Sequence, residues 1–411
     1  MSASAQTIDL QDAVNKSQFQ TPAPVRVIGL ALVVVGLALL GIGISSDPTR
    51  GWGAALMGSY YVLSIAAGAG VIIALMHVTK AGWGVVVRRI PEAVTTYLPL
   101  GLLTLGTVTG LGMQHLYEWS HPDAAEDEVL VRKLAYLNVP GFFTRMVVIL
   151  GAWIILTLLM RKTSIDQDKD GDEKKTARNV VLGVFYLIAF GLGMTFGSID
   201  WLMSLEPHWF STMFGVYQFA GAHVAAAATC TIIVVKLRAN GQLPLVTENH
   251  LHDFGKMMFA FSVFWGYIFV SQYLLIWYSN IPEETGYFLL RWSHGWQPLW
   301  ALNIVMNFLV PFVCLIPRPN KRNPKWLLPV AIVILLGHFL DVYLQVAPAL
   351  GDMVAAEHHA EIAGPVFGLT EIGGAATFIG LFVLAVTMAL GKASLLPAKD
   401  PYLQESIHHA Q

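Results

Sequence analysis

Long apolar stretches, parted by short polar ones, occupy most of the chain. Ten of them predict membrane-crossing helices: residues 25–45, 52–78, 92–116, 142–161, 179–203, 211–237, 251–280, 296–316, 326–347 and 365–391. A hydrocarbon core of about 30 Å takes about 20 helical residues at about 1.5 Å each, and each stretch has that reach. Pro91, Pro298, Pro365 and the proline-rich run 317–324 mark helix ends. Gly106 with Gly110 and Gly193 with Gly197 offer small faces for close packing. Pro311, Gly373 and Gly374 are candidate breaks in the eighth and tenth helices. The pattern predicts an all-α polytopic membrane protein: an N-terminal tail (1–24), a transmembrane domain (25–391) and a C-terminal tail (392–411).

Composition agrees. Of the 411 residues, 55% are hydrophobic and 13% charged, about half the charged share of an ordinary soluble domain. The net charge of −2 says little about partners, and no basic stripe suggests nucleic acid. Cys230 and Cys314 lie in apolar segments and read as buried thiols. No CxxCH attaches haem c, and no cysteine cluster suits iron–sulfur. The first 24 residues lack the pattern of a cleaved signal peptide.

Basic residues crowd one set of loops, among them Lys16, Arg88, Arg89, Arg161, Lys175, Lys236, Arg322 and Lys392. The opposite set holds only Arg50, Arg132, Lys133, Arg145 and Arg291, with Lys256 inside a span. By the positive-inside rule both termini are expected in the cytoplasm; the resemblance described below implies a bacterial inner membrane. The charged stretch 162–178 reads as a solvated cytoplasmic linker. The outer loop 349–364, with Glu357, His358, His359 and Glu361, reads as a solvated loop or docking surface.

Ionisable groups inside a bilayer cost at least about 2.5–3.5 kcal/mol and so point to function. Ranked by depth from the cytoplasmic side they are Lys256, then His223, then His338, Asp341 and Glu371, then Asp200, Glu206 and His208. Such a ladder suits a proton relay, if the groups share one cavity. Each has a plainer reading. Lys256 could snorkel, His223 could bond a neighbouring backbone, and Asp341 and Glu371 could stitch helices together. Asp200, Glu206 and His208 could cap a helix end beside the belt residues Trp201 and Trp209. Tyr217 and Gln272, on aromatic helices, are candidates for contact with a quinone ring.

The run IDWLMSLEPHWFST (199–212) resembles the NrfD-like family of polysulfide-reductase membrane subunits. Within it, the run is most similar to the ActF-type subunits of bacterial alternative complex III, a quinol:cytochrome c oxidoreductase. The resemblance implies two four-helix bundles, helices 2–5 and 6–9, flanked by helices 1 and 10. It implies a chain with no redox centre or metal of its own, which binds quinone or conducts protons. It implies partners: a second NrfD-like subunit, an iron–sulfur protein and cytochrome c subunits carrying haem c. Asp200, Glu206 and His208 match the family-like run position by position. The expected function is a cofactor-free subunit of a respiratory quinol-oxidising complex that supports proton translocation. Two other classes stay open. A b-haem carrier would use His223 and His338 as ligands. A proton-coupled secondary transporter would have helices broken at mid-membrane.

Overall fold

The computed structural model describes residues 10–359 and 364–410, the side chains of 357 and 358 excepted. Glu361, and the side chains of Glu357 and His358, thus lie outside the described set. Among the described residues ten helices are long and apolar enough to cross a membrane. They are α1 (Ala23–Ser46), α2 (Pro48–Val78), α3 (Arg89–Leu111), α4 (Val139–Asp170), α5 (Glu173–Trp201), α6 (Phe214–Ala239), α7 (Glu248–Ser279), α8 (Gln297–Leu315), α9 (Pro324–His358) and α10 (Leu369–Leu390). No strand occurs among these residues, and the protein is an all-α polytopic membrane protein.

Helices α2–α5 pack as one four-helix ring and α6–α9 as a second. The rings join through α2 and α6, where Gly68 lies so close that an added Cβ would sit 2.3 Å from the Ala222 carbonyl oxygen. Helices α1 and α10 form a pair laid against α2. Gly373 and Gly374 do not break α10. They let it approach α1 and α2, and a Cβ on Gly374 would lie 2.3 Å from the Ala54 oxygen. The outer face of α1 exposes Val27, Ile28, Leu30, Val34 and Leu37, as a lipid-facing helix does.

Two expected loops are helical. The stretch 162–178 is not an irregular linker, because α4 continues to Asp170 and α5 starts at Glu173, though most of its charged side chains are exposed. Three of its acids are paired: Asp168 meets Arg89 of α3 at 2.6 Å, Asp170 meets Lys175 at 2.6 Å, and Asp166 meets Lys169 at 2.7 Å. Gly171, at φ +73°, closes α4 in the left-handed conformation that glycine adopts without strain. Helix α9 likewise runs through Pro348 to His358, so 349–358 is not loop.

The described terminal segments, 10–22 and 392–410, lie at one end of the bundle, called here the terminal end. The Leu395 N–H donates to the Ser17 carbonyl (2.9 Å), Asp400 pairs with Arg88, and the Ser406 hydroxyl donates to the Trp83 carbonyl (2.7 Å). The C-terminal segment is therefore docked rather than a loose tail. The opposite, far end carries a short amphipathic helix, Pro282–Arg291, which the apolar pattern alone did not mark.

Candidate functional site

The run 199–212 is built into the far end by partners from several elements. Asp200, the last polar residue of α5, is fully buried and held by Arg145 of α4 through two bonds, Nε to Oδ2 at 2.7 Å and Nη2 to Oδ1 at 3.0 Å. Glu206 accepts from Arg291 Nη2 at 2.6 Å. His208 Nε2 lies 2.8 Å from Asp127, whose other oxygen caps the helix Glu128–Lys133. Trp209 stacks on Tyr287 at 3.9 Å and donates to the Glu284 carbonyl. Trp201 and Trp209 are buried, so they are core residues and not belt anchors. The turn ties α5 to α4, to the helix 128–133 and to the helix 282–291.

Glu371 follows the same logic. It sits in the first turn of α10, not two turns in, and takes a bidentate grip from Arg50 (2.7 and 2.8 Å) plus the Gly368 N–H (2.7 Å). Lys256 pairs with Asp253 at 2.6 Å near the terminal end and stays 45% exposed, as a snorkelling side chain would. His223 is fully enclosed, with its ring 3.9 Å from Phe261 and neither nitrogen hydrogen-bonded. It does not bond a neighbouring backbone. His338 Nε2 is 2.8 Å from the Ser64 hydroxyl across the bundle joint. Neither imidazole lines any of the cavities described below.

The depth ladder therefore does not converge on one cavity. What converges is a smaller network around Asp341 of α9. The Tyr217 hydroxyl and Asn303 Nδ2 (2.8 Å) donate to Oδ1, and Trp265 Nε1 approaches Oδ2 at 3.4 Å. Asn307 supports Asn303 through Nδ2 to Oδ1 at 2.6 Å. Asn307 lies in a π-helical segment of α8, Val305–Leu309, and Asn303 on the α-helical turn just before it. Pro311 explains that segment, since it cannot donate to the Asn307 carbonyl one turn back. One turn along α9, Gln345 accepts from Gln218, which accepts in turn from the Tyr60 hydroxyl at 3.1 Å. Of Asp200, Asp341 and Glu371, Asp341 alone has no cationic partner.

A cavity of about 20 Å³ adjoins this network, lined by Asp341, Tyr217, Gln272, Asn303, Gln345 and Arg291 among others. That is room for about one water. It does not hold a quinone ring beside Tyr217 and Gln272. Beyond it lies a larger groove of about 670 Å³ at the far end, with Glu206, His208, Glu283 and Asp352 on its walls. Tyr287 borders both spaces, and the Arg291–Glu206 pair stands between them.

Arg291 has a structural duty as well. Pro348 has no N–H to give the Leu344 carbonyl four residues back. Arg291 Nε donates to that carbonyl at 2.8 Å, and Nη2 reaches the Gln345 carbonyl at 3.2 Å. In a lipid-surrounded helix a freed carbonyl must find such a donor. Burial pushes the Glu206 carboxyl above its usual range, with Arg291 opposing. Asp127 is held below its usual range by the Leu130 N–H first and by His208 second.

Sequence reasoning missed Arg291, Arg145 and Arg50 as partners, having used them only for orientation. It also missed Asn303, Asn307 and Trp265. The asparagines carried a readable signal: two amides four apart in an apolar span share a face. A second missed feature is Glu92, wholly buried between Arg88 and Arg89 at 3.5–3.6 Å.

Neither a scan of protein-family profiles nor a search of curated proteins gives a match to this chain. The family resemblance thus rests on the run 199–212 itself.

Proposed function

We propose that this chain is an integral subunit of a respiratory quinol-oxidising complex in a bacterial inner membrane, and that it passes protons through Asp341. One observation carries the reading. Asp341 is a buried carboxyl without an ion-pair partner among the described residues, facing a water-sized cavity that shares Tyr287 with an open far-end groove and meets it at the Arg291–Glu206 pair. A carboxyl so placed can hold a proton at Oδ2, which Trp265 approaches only at 3.4 Å, and hand it to a water. Re-orientation of the Tyr217 hydroxyl frees Oδ1 for the same exchange. From there the groove offers Glu206 and His208. With the basic terminal end in the cytoplasm, the groove faces the periplasm, where quinol oxidation would deliver protons and electron-carrying partners would dock.

The partners in this reading are a second NrfD-like subunit, an iron–sulfur protein and haem c subunits. They supply the redox chemistry. A quinone ring, if bound by this chain, is better accommodated beside Arg50, Glu371, Trp296 and Tyr343, which border a cavity of about 230 Å³. Co-purification from mildly solubilised native membranes, with mass spectrometry of every band, tests the assignment. Recovery of those partners supports it, and recovery of the chain alone contradicts it.

The π-helical break in α8 favours a second reading, a proton-coupled transporter, since transporters place broken helices at their sites. Uptake of a solute by the isolated chain in liposomes, without redox partners, would favour it over the first.

A further inference from the structure

A second cavity has no place in the proton network. It is a cleft of about 430 Å³ at the seam of the two bundles, floored by α2 and walled by α6, α9, α10 and the start of α1. Its walls are almost wholly hydrocarbon, including Phe19, Ile65, Ile232, Phe382 and Leu390. The polar groups in its deeper half are the Thr229 hydroxyl and that of Tyr61, which already donates to the Leu335 carbonyl at 3.1 Å. That is too little for a ring with two carbonyl oxygens, and it suits an alkyl chain.

Length points the same way. Along α10 the cleft runs from Ile379 to Leu390, about 16 Å at 1.5 Å per residue. That is half of the ~30 Å hydrocarbon thickness, the depth of one leaflet. The mouth lies at the terminal end. There Lys236 lines the cleft, exposed and without an ion pair among the described residues. Arg26 follows the lining residue Val25, and Lys392 lies two residues after Leu390. Basic mouths of clefts between spanning helices recognise anionic headgroups.

We propose that this cleft seats one anionic phospholipid of the terminal-end leaflet, its acyl chain along α10 and its phosphate at Lys236. The seat would bridge the α1–α10 pair to the second bundle, across a seam that protein side chains leave unfilled. It does not depend on the proton reading.

The test is thermal unfolding of the purified protein in mild detergent, titrated with phosphatidylglycerol or with phosphatidylethanolamine of the same acyl chains. Wild type should be stabilised by the anionic lipid at roughly five-fold lower concentration, the ratio that about 1 kcal/mol per basic side chain gives. Lys236→Gln should lose that preference while keeping the response to hydrocarbon. Ile233→Trp, which fills the cleft, should respond to neither lipid. Equal responses of wild type to both lipids would overturn the proposal. So would a preserved preference in Lys236→Gln, a wild-type response in Ile233→Trp, or extraction of an isoprenoid quinone that competes with phosphatidylglycerol for the protein.

Discussion

Arg145 holds Asp200 with two hydrogen bonds, Nε to Oδ2 at 2.7 Å and Nη2 to Oδ1 at 3.0 Å, and the carboxylate has no exposed surface. The pair makes Asp200 a joint between α4 and α5. Removing one partner of a buried pair leaves an unmatched charge and costs roughly 3–5 kcal/mol, whereas an apolar pair of similar volume is often neutral. Asp200→Asn should therefore lower stability by about 3 kcal/mol, the lower figure because the Arg145 side chain remains 23% exposed. The double variant Arg145→Met with Asp200→Leu should recover most of it. Unfolding in detergent measures both. Loss of proton coupling at unchanged stability in Asp200→Asn would place the residue back on a proton path.

Arg291 should matter more as an arginine than as a cation. Its guanidinium serves Glu206 and the Leu344 carbonyl that Pro348 leaves without a donor. Arg291→Lys keeps the charge but cannot span both. It should cost about 2 kcal/mol, in the range for a buried polar group left unpaired. Adding Pro348→Ala should return part of that, because the restored N–H can take the Leu344 carbonyl. No recovery in the double variant would separate Arg291 from the proline.

Two far-end carboxyls should titrate in a fixed order. Burial raises Glu206, so the stability it lends is full below the ordinary glutamate range and is lost as pH rises through its raised value. Asp127 is lowered by the Leu130 N–H and His208, so its contribution is present above the ordinary aspartate range and lost as pH falls through its depressed value. On acidification Glu206 should protonate first and Asp127 last. Infrared difference spectra, assigned with Glu206→Gln and Asp127→Asn, would show the order. The reverse order would contradict the site's electrostatics.

Tyr217→Phe removes one of the two donors on Asp341 Oδ1 and leaves Asn303. The expected loss of stability is about 1 kcal/mol, that of a single hydrogen bond. Proton exchange at Asp341 should change, which isotope-exchange kinetics of the carboxyl band would detect. A spectrum of Asp341 identical to wild type would mean that the hydroxyl does not control that oxygen.

The apolar pattern carried the spans well because each helix must cover the same membrane thickness. It failed where charge and helix coincide. Residues 162–170 look like an irregular linker, but they continue α4, and Arg89 of α3 takes Asp168. Residues 349–358 look like a loop because Pro348 should end a helix, and only Arg291, from another element, mends the break. Asp341 stood out in the sequence as an acid deep in an apolar helix, and its bonds to Tyr217, Asn303 and Trp265 also stitch α9 to three neighbours. That Asp200 and Glu371 are ion-paired was not legible, because their arginines lie 55 and 321 positions away in sequence. The asparagines of α8 were readable as two amides on one face, but nothing in the hydropathy of that span announces the π-helical turn at Asn307.

The most direct measurement compares Asp341→Asn with wild type in the proposed quinol-oxidising complex, reconstituted in liposomes with quinol and an electron acceptor, counting protons moved per electron. Asparagine preserves shape and most hydrogen bonds, so subunits should assemble normally and electrons should still flow. Proton transfer should slow by roughly 10²-fold, the low end of what a positioned acid–base group contributes. An unchanged proton-to-electron ratio in an intact Asp341→Asn complex would contradict the proton role assigned to this chain.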